Sequence, residues 1–339
     1  MVEDASGAGV TDLLVQVRGR GDAYYDSRFV MPAPQLTRAW EHHGRFDPLE
    51  MVIAQAHEHG IRVHAWLNVY LVWGKGTPPD GHVVSTNPEW VAVNRSNIPM
   101  SEVSFRRLLR AQTEGVYLEP GNRRVMKDFL RIVDELLSGY SLDGIHLDYV
   151  RYPEMDVGYS SAMRAGFRRR TGVDPLEFQA NEAALIEEHG EAGFMALQRK
   201  WRKFKADQVT AMVFNLRKLI RQRQSDVLLS AAVKPDPESA LDRNGQDWVR
   251  WVNEGLVDFV APMMYSTSRT TVRRQAELLV RLVPQERVWA GIAVYNQSLD
   301  SAADKIRTVR RAGIQGVSIF SYNSIPGGAR SLGQLNQVR

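Results

Sequence analysis

The stretch Ser141-Leu-Asp-Gly-Ile-His-Leu-Asp-Tyr-Val-Arg-Tyr-Pro153 decides the fold. It starts at the turn signal Asp143-Gly144 and continues as a mostly apolar strand. Alternation along a strand predicts two faces, with Ile145, Leu147 and Tyr149 on one and His146 and Asp148 on the other. A buried strand of a parallel sheet is usually apolar on both faces. His146 and Asp148 therefore indicate either a satisfied polar pair or a catalytic carboxylate at the carboxyl end of a strand.

On both sides of this stretch, strand-like segments alternate with segments of helical periodicity along the whole chain. Seven such strands start near residues 12, 61, 143, 227, 257, 288 and 316. This alternation predicts a parallel sheet of the α/β class. The first strand lacks a Gly-rich turn after it, so a dinucleotide-binding fold is disfavoured. We expect a (β/α)8 TIM barrel that lacks its first strand in this chain, with an open seven-stranded sheet as the alternative.

The length of 339 residues suits one barrel domain with insertions rather than two ordinary domains. We expect residues 1–339 to form this single domain. A long segment at about 69–120 is rich in Pro, Asn and aromatic residues, which predicts an ordered cover over a site. A helical insertion is expected at about 160–224, with a break near Gly172 to Pro175.

Composition excludes several classes of protein. The chain is 44% hydrophobic and 24% charged, carries a formal net charge of +4 and contains no Cys. Disulfides and thiolate metal sites are therefore excluded. Neither a membrane-spanning run nor a signal peptide is recognisable in the sequence. Basic clusters fall on predicted helices and are typical of solvated faces; without zinc-finger, RNP or phosphate-loop patterns, nucleic acid is not an expected partner.

Polar and aromatic residues recur at the predicted carboxyl ends of the strands. They are Gln16, Arg18, Trp66, Asn68, His146, Asp148, Lys234, Tyr265 and Tyr295. Side chains at these ends converge on the mouth of a barrel. Aromatic faces stack on pyranose rings and polar groups bind hydroxyls, so this set favours an oligosaccharide or polysaccharide ligand. Hydrolysis of a glycosidic bond needs a carboxylate on each side of the anomeric centre.

Asp148 is the predicted nucleophile or general base. Glu119 and Asp236 are the leading candidates for the second carboxylate, although a helix-terminal charge and an ordinary loop acid explain them equally well. A separation near 5–5.5 Å would imply a retaining mechanism and about 6.5–9.5 Å an inverting one. Retention is favoured because a strand-end Asp can reach the anomeric carbon directly. The predicted substrate-binding residues are Arg18, Asp22, Trp66, Asn68, Tyr70, His146, Arg151, Lys234, Tyr265 and Tyr295.

A metal site is not expected. His64, His146 and Asp148 are the right residue types for a two-histidine, one-carboxylate site. However, His64 lies about four residues, roughly 13 Å, before the end of its strand, too deep to share the mouth with Asp148. No cofactor is predicted.

The sequence resembles the glycosyl-hydrolase-like family 10 proteins. The matching motifs are Gln16-Val-Arg18, Gly21-Asp-Ala23, Phe46-Asp-Pro-Leu-Glu50, His64-Ala-Trp-Leu-Asn68, Pro88-Glu-Trp90, Glu119-Pro-Gly-Asn122, Asp143 to Pro153 and Val257 to Tyr265. The resemblance implies a TIM-barrel glycoside hydrolase that is usually bacterial and exported. Some members are similar to enzymes that act on peptidoglycan glycan strands.

Departures from known patterns leave a second function open. The family normally begins with a strand of Arg-Gly-Val/Ala-Trp type, which is absent here, and usually has Asp where this chain has Glu119. Compared with the family-18 chitinase signature Asp-Gly-x-Asp-x-Asp-x-Glu, His146 replaces the middle Asp and Val150 replaces the catalytic Glu. Substrate-assisted chitinase chemistry is therefore not expected. The alternative is a non-catalytic carbohydrate-binding barrel.

Overall fold

The computed structural model describes residues 1–223, 226–325, 331, 333 and 335. Its strands begin and end close to the sequence predictions. They are β1 Asp12–Arg18, β2 Arg62–Asn68, β3 Leu71–Trp73, β4 Val116–Tyr117, β5 Gly144–Asp148, β6 Leu228–Val233, β7 Phe259–Pro262, β8 Trp289–Ala293 and β9 Gly316–Phe320. All seven strands predicted from the sequence are present, and β3 and β4 are additional.

The seven predicted strands form the barrel wall. β1, β2, β5, β6 and β7 pair in parallel in that order, and β8 pairs in parallel with β9. Parallel bridges from Val260 to Val288 and from Met263 to Gly291 connect β7 with β8. Each strand is therefore followed in space by the next barrel strand along the chain, as in a TIM barrel. The predicted fold class is confirmed.

Helices connect these strands on the outside. They are α1 Val2–Gly7, α2 Pro34–His43, α3 Pro48–Glu58, α4 Val83–Thr86, α5 Phe105–Arg110, α6 Arg123–Gly139, α7 Ser161–Thr171, α8 Glu177–Ala180, α9 Glu182–Arg223, α10 Pro237–Asn244, α11 Trp248–Asn253, α12 Arg269–Leu282 and α13 Leu299–Arg311. Local chemistry fixes their starts. Asp47, for example, accepts hydrogen bonds from the amides of Leu49 and Glu50, with Pro48 at the first helical position.

The cover segment between β2 and α6 is ordered and contains a small antiparallel ribbon of β3 and β4. Gly115 permits this ribbon, because a side chain there would clash with the Trp73 carbonyl. The insertion between β5 and β6 contains α7, α8 and α9; α7 ends at Thr171 with Gly172 in the left-handed region, close to the predicted break, and α9 is kinked at Gly190. It has its own aromatic cluster, in which Phe167 and Trp201 pack edge to face at 5.1 Å.

The barrel wall has a seam between its first and last strands. Within the described residues, β1 and β9 are not paired with each other. Every residue of β5 is buried, whereas every residue of β9 and the first five residues of β1 are only half-buried. The described strands therefore form an open strip curved into a barrel, with one unpaired edge on each side of the seam.

Candidate active site

β5 carries His146 and Asp148 into the barrel, as alternation predicts. Ile145 and Leu147 are fully buried on the opposite face against the helix layer. His146 and Asp148 both line a cavity of about 1060 Å³ that extends from the base of the seam to the mouth. The chain then turns sharply at Tyr149, whose φ of 50° lies in the left-handed region. The predicted placement of Tyr149 on the apolar face is wrong, because this turn moves its ring into the cavity lining.

Asp148 is almost enclosed, with 9% of its surface exposed. Its Oδ1 accepts a hydrogen bond of 2.7 Å from the amide of Tyr149. Burial raises the pKa of Asp148 to about 6, and the Glu114 charge acts in the same direction. The Arg151 guanidinium and the Tyr149 amide oppose this shift without cancelling it. Below about pH 6 this carboxyl group carries a proton that it can donate.

Arg151 lies beside Asp148 in the cavity lining and is itself 3% exposed. Its Nη2 donates to Glu114 Oε1 at 3.0 Å, and its guanidinium lies 4.9 Å from the centre of the Tyr149 ring. Nε and Nη1 are buried and have no protein hydrogen-bond partner among the described residues. A charged group with unused donors beside a carboxyl group is suited to binding a polar ligand.

The far wall of the cavity is aromatic. Tyr265 stacks on Phe320 with ring centroids 5.6 Å apart and an interplanar angle of 12°. The Tyr295 ring meets both of them edge to face at 6.1 Å. Trp66 approaches from β2, with its ring centroid 5.9 Å from that of Phe320. This aromatic wall, defined as Trp66, Tyr265, Tyr295 and Phe320, offers flat surfaces on which a pyranose ring can stack.

Two further predicted residues complete the cavity. His146 Nδ1 lies 2.9 Å from the Ser230 hydroxyl, and burial lowers the pKa of His146 to about 3, so its ring is neutral. Lys234 follows β6 and pairs with Glu154 at 2.9 Å. The cavity therefore combines a neutral imidazole, an ammonium group and a guanidinium around Asp148.

The structure does not bring Arg18 into this cavity. A register shift between Gln16 and Arg18 places Arg18 opposite Leu67, on the face that meets the helices. Its guanidinium lies 5.5 Å from the centre of the Phe129 ring on α6 and donates to the Asn68 carbonyl. The position of Arg18 therefore does not support its predicted role as a ligand, because this bulge reverses the alternation.

Asp22 and Asn68 organise the neighbouring loop instead of the cavity. Asp22 accepts a hydrogen bond of 2.7 Å from the Arg20 amide within the loop that follows β1. Asn68 donates to the Gly19 carbonyl at 2.6 Å and accepts from the Trp66 indole at 3.1 Å. Neither side chain is among the cavity-lining residues, so their predicted role as ligands is not supported by their positions.

Glu119 is buried behind the cavity and does not line it. It follows β4, which belongs to the small ribbon, so Glu119 does not lie at the carboxyl end of a barrel strand. Its Oε1 accepts from the Tyr152 hydroxyl at 2.9 Å, and burial raises its pKa. Tyr70 is fully buried in the same region, again outside the cavity.

Asp236 is an exposed helix cap. Its Oδ1 accepts from the Ser239 amide at 2.9 Å at the start of α10, a helix that the sequence analysis did not predict. Asp236 does not line the cavity either. The structure therefore supports neither leading candidate for the second carboxylate.

Glu114, Phe320 and Trp289 are among the cavity residues that were not predicted from the sequence. Phe320 is the last residue of β9, and this strand-end position could have indicated it, whereas Trp289 is the first residue of β8 and lies at the opposite end of the barrel. Glu114 precedes β4 in the cover segment, and no local pattern distinguishes it from the surface acids.

Among the described residues, no group of three or more His, Asp or Glu side chains is arranged to hold a metal ion. Those residues also contain no helix long and apolar enough to cross a membrane.

The parallel barrel, with Asp148 facing the cavity at the carboxyl end of β5, has the TIM-barrel fold of glycoside hydrolases. The PgaB (BpsB) glycoside hydrolase domain from Bordetella bronchiseptica superposes with a TM-score of 0.73 at 15% identity, covering 98% of this chain and 91% of that domain. Alpha-L-fucosidase isoenzyme 2 from Paenibacillus thiaminolyticus gives a TM-score of 0.63 at 14% identity, covering 99% of this chain and 45% of that one.

The chain belongs to the glycosyl hydrolase-like 10 family, whose family model matches residues 2–295. It is similar to glycosyl hydrolase DigH of Escherichia coli (strain K12), with 26% identity over 307 residues that cover 85% of this chain and 63% of DigH. It is also similar to glycosyl hydrolase YngK of Bacillus subtilis (strain 168), with 22% identity over 284 residues that cover 78% of this chain and 48% of YngK. The chain thus spans less than two thirds of the length of these relatives.

Proposed function

We propose that this chain is a glycoside hydrolase that cleaves O-glycosidic bonds of a polysaccharide, with Asp148 as a catalytic residue. The observation that carries the proposal is the position of Asp148. It is a buried carboxyl group with a raised pKa at the end of β5, in a cavity bounded by the aromatic wall. The cavity, of about 1060 Å³, runs from the base of the seam to the mouth, and the proposed sugar site is the part of it beside Asp148 and the aromatic wall.

Bacterial cell-wall glycan strands are the first substrate to test. The family that the sequence resembles includes proteins similar to enzymes acting on them, and the relatives in Escherichia coli and Bacillus subtilis are named glycosyl hydrolases. Release of new reducing ends from such strands, and from a panel of other purified polysaccharides, measures the activity directly.

The Asp148→Asn variant tests the role of the carboxyl group. The exchange is nearly isosteric but removes the proton that the leaving oxygen needs, so we expect hydrolysis to be abolished and melting to be similar. Asp236→Asn is the matched control, because asparagine also caps helices and Asp236 lies outside the cavity. If Asp148→Asn kept more than about a tenth of the parent kcat, a loss of only ~1.4 kcal/mol, Asp148 would be removed from the mechanism.

One observation favours a non-catalytic carbohydrate-binding barrel. Val150, which stands where chitinases carry their acid, is fully buried in the core and has no proton to donate. Glycan binding by the parent chain without release of reducing ends would support this alternative over hydrolysis.

A further inference from the structure

The cavity lining contains three acidic residues, and they differ in depth. Asp148 and Glu114 lie near Arg151, whereas Asp12 is the first residue of β1. Asp12 is held by Arg62 at 2.7 Å and by His64 at 3.0 Å. It lies six residues, roughly 20 Å, below the carboxyl end of its strand. Among the described residues, Glu114 is therefore the acid of the cavity lining that lies beside the mouth with Asp148.

Both carboxylate oxygens of Glu114 are fixed by neighbouring donors. Oε1 accepts from Arg151 at 3.0 Å and Oε2 accepts from the Tyr117 hydroxyl at 2.9 Å. Tyr117 belongs to β4. Between Glu114 and Tyr117, Gly115 lets the backbone pack closely against the Trp73 carbonyl. Glu114 is nevertheless 38% exposed, so its carboxylate is open to a ligand in the cavity. A fixed but accessible carboxylate is suited to a reaction that needs a charge at a defined place.

We propose that Glu114 is the second carboxylate of the reaction, the ionised partner of the Asp148 carboxylic acid. The assignment rests on the proposed function, and it replaces Glu119 and Asp236. The glycosidic bond would lie between the two groups, with the sugar rings against the aromatic wall.

The protons and electrons of this hydrolysis balance between the two groups. Asp148 gives its proton to the glycosidic oxygen while the bond from that oxygen to the anomeric carbon breaks, and the bonding electron pair stays on the departing oxygen. The ionised Glu114 balances the positive charge that develops at the anomeric carbon. Water bonds to that carbon and gives a proton to Glu114. Transfer of one proton from Glu114 to solvent and uptake of one by Asp148 restore the starting state.

The electrostatics of the site agree with these roles. Burial acts to raise the pKa of Glu114, but the Arg151 charge and the hydrogen bonds from Tyr117 and Arg151 outweigh it, and the net pKa is lowered. Burial of Asp148 moves its pKa in the opposite direction. Two carboxyl groups whose environments separate their pKa values are the usual arrangement for an acid and its ionised partner.

The test compares three Glu→Gln variants of the full chain on a glycan that the parent hydrolyses. Glu114→Gln should lower kcat/KM more than about 100-fold with similar melting. Glu119→Gln distinguishes the earlier candidate and should keep most of the activity, because Glu119 lies outside the cavity. Glu89→Gln is the surface control, since Glu89 is an exposed residue whose ion pair with Arg124 is long, at 3.6 Å. Added formate, a small carboxylate, should restore part of the rate to Glu114→Ala but none to Asp148→Asn.

The outcomes separate this inference from the proposed function. If Glu114→Gln keeps more than a tenth of kcat/KM, or if Glu119→Gln loses activity in its place, the inference is overturned while hydrolysis by the parent stands. A parent chain that hydrolyses nothing overturns both. If Glu114→Gln does not fold, Glu114→Asp takes its place. This variant should fold but lose most of its rate, because the carboxylate moves back by about the length of one methylene group. A fully active Glu114→Asp variant would also contradict the inference.

Discussion

At the scale of single residues, the chemistry of this site depends on how deeply each carboxyl group is buried. Asp148 and Glu114 both lie near one guanidinium, yet the pKa of Asp148 is raised and that of Glu114 is lowered. Asp148 is the more enclosed of the two, whereas Glu114 has two hydrogen-bond donors that favour its charged form. The sequence favoured Asp148 as nucleophile or base, and its surroundings favour a proton donor. Burial of this kind is a tertiary property that residue types alone do not reveal.

The pH dependence of catalysis follows from this difference. A proton donor must be protonated, so we expect kcat/KM to fall as the pH rises through about 6, the pKa of Asp148, approaching tenfold per pH unit. On the acidic side, activity should persist until the pH reaches the lowered pKa of Glu114. Initial rates between pH 3 and pH 9 on one glycan, with melting followed in parallel, measure both limbs. A flat profile from pH 5 to pH 8 would contradict the assignment of Asp148 as the acid.

At the scale of elements, strand periodicity predicted much of the fold. It placed seven barrel strands correctly because each is a short apolar run between turn signals, and it put His146 and Asp148 on one face. It failed at Arg18, where a bulge not visible in the pattern reverses the alternation. It predicted no strand before Glu119, which follows the short β4 of the cover ribbon and not a barrel strand. Glu114 was missed because only tertiary packing carries the cover segment to the cavity.

The aromatic wall is assembled from the ends of several elements, and one of its members can be tested separately. Tyr295 is 54% exposed, so Tyr295→Ala should leave melting unchanged. Loss of a stacking face worth ~0.5–1.5 kcal/mol should raise KM by about 2- to 12-fold with little change in kcat. Phe29→Ala is a matched control, because Phe29 is 41% exposed and lies outside the cavity. An unchanged KM for Tyr295→Ala would argue against stacking at this ring.

At the scale of the whole molecule, the seam distinguishes the described structure from a closed barrel. β1 and β9 each pair with one neighbour, whereas the five strands between them are hydrogen-bonded or bridged to a strand on each side. Unpaired edges are sites of fraying and of association with other chains. A gap at this place was expected, because the sequence contains seven recognisable strands where a TIM barrel has eight.

Hydrogen exchange can measure the consequence of the unpaired edges. We expect the amides of β1 and β9 to exchange faster than those of β5 and β6, because opening an edge strand breaks one ladder instead of two. Exchange followed by mass spectrometry on peptides covering these four strands gives the comparison within one sample. Equal protection of all four strands would mean that the edges are covered in solution.

The contact between Trp66 and Phe320 has a mechanical consequence. In a closed barrel, the strand number and stagger fix the radius. Here a ring on β2 touches a ring at the end of β9 at 5.9 Å, so side-chain packing and not a backbone ladder spans the gap at the mouth. The contact between these two rings can be lost without breaking any hydrogen bond between strands. The width of the described barrel at its mouth therefore depends on the packing of these two rings, and Phe320→Ala would remove this contact without removing any strand pairing.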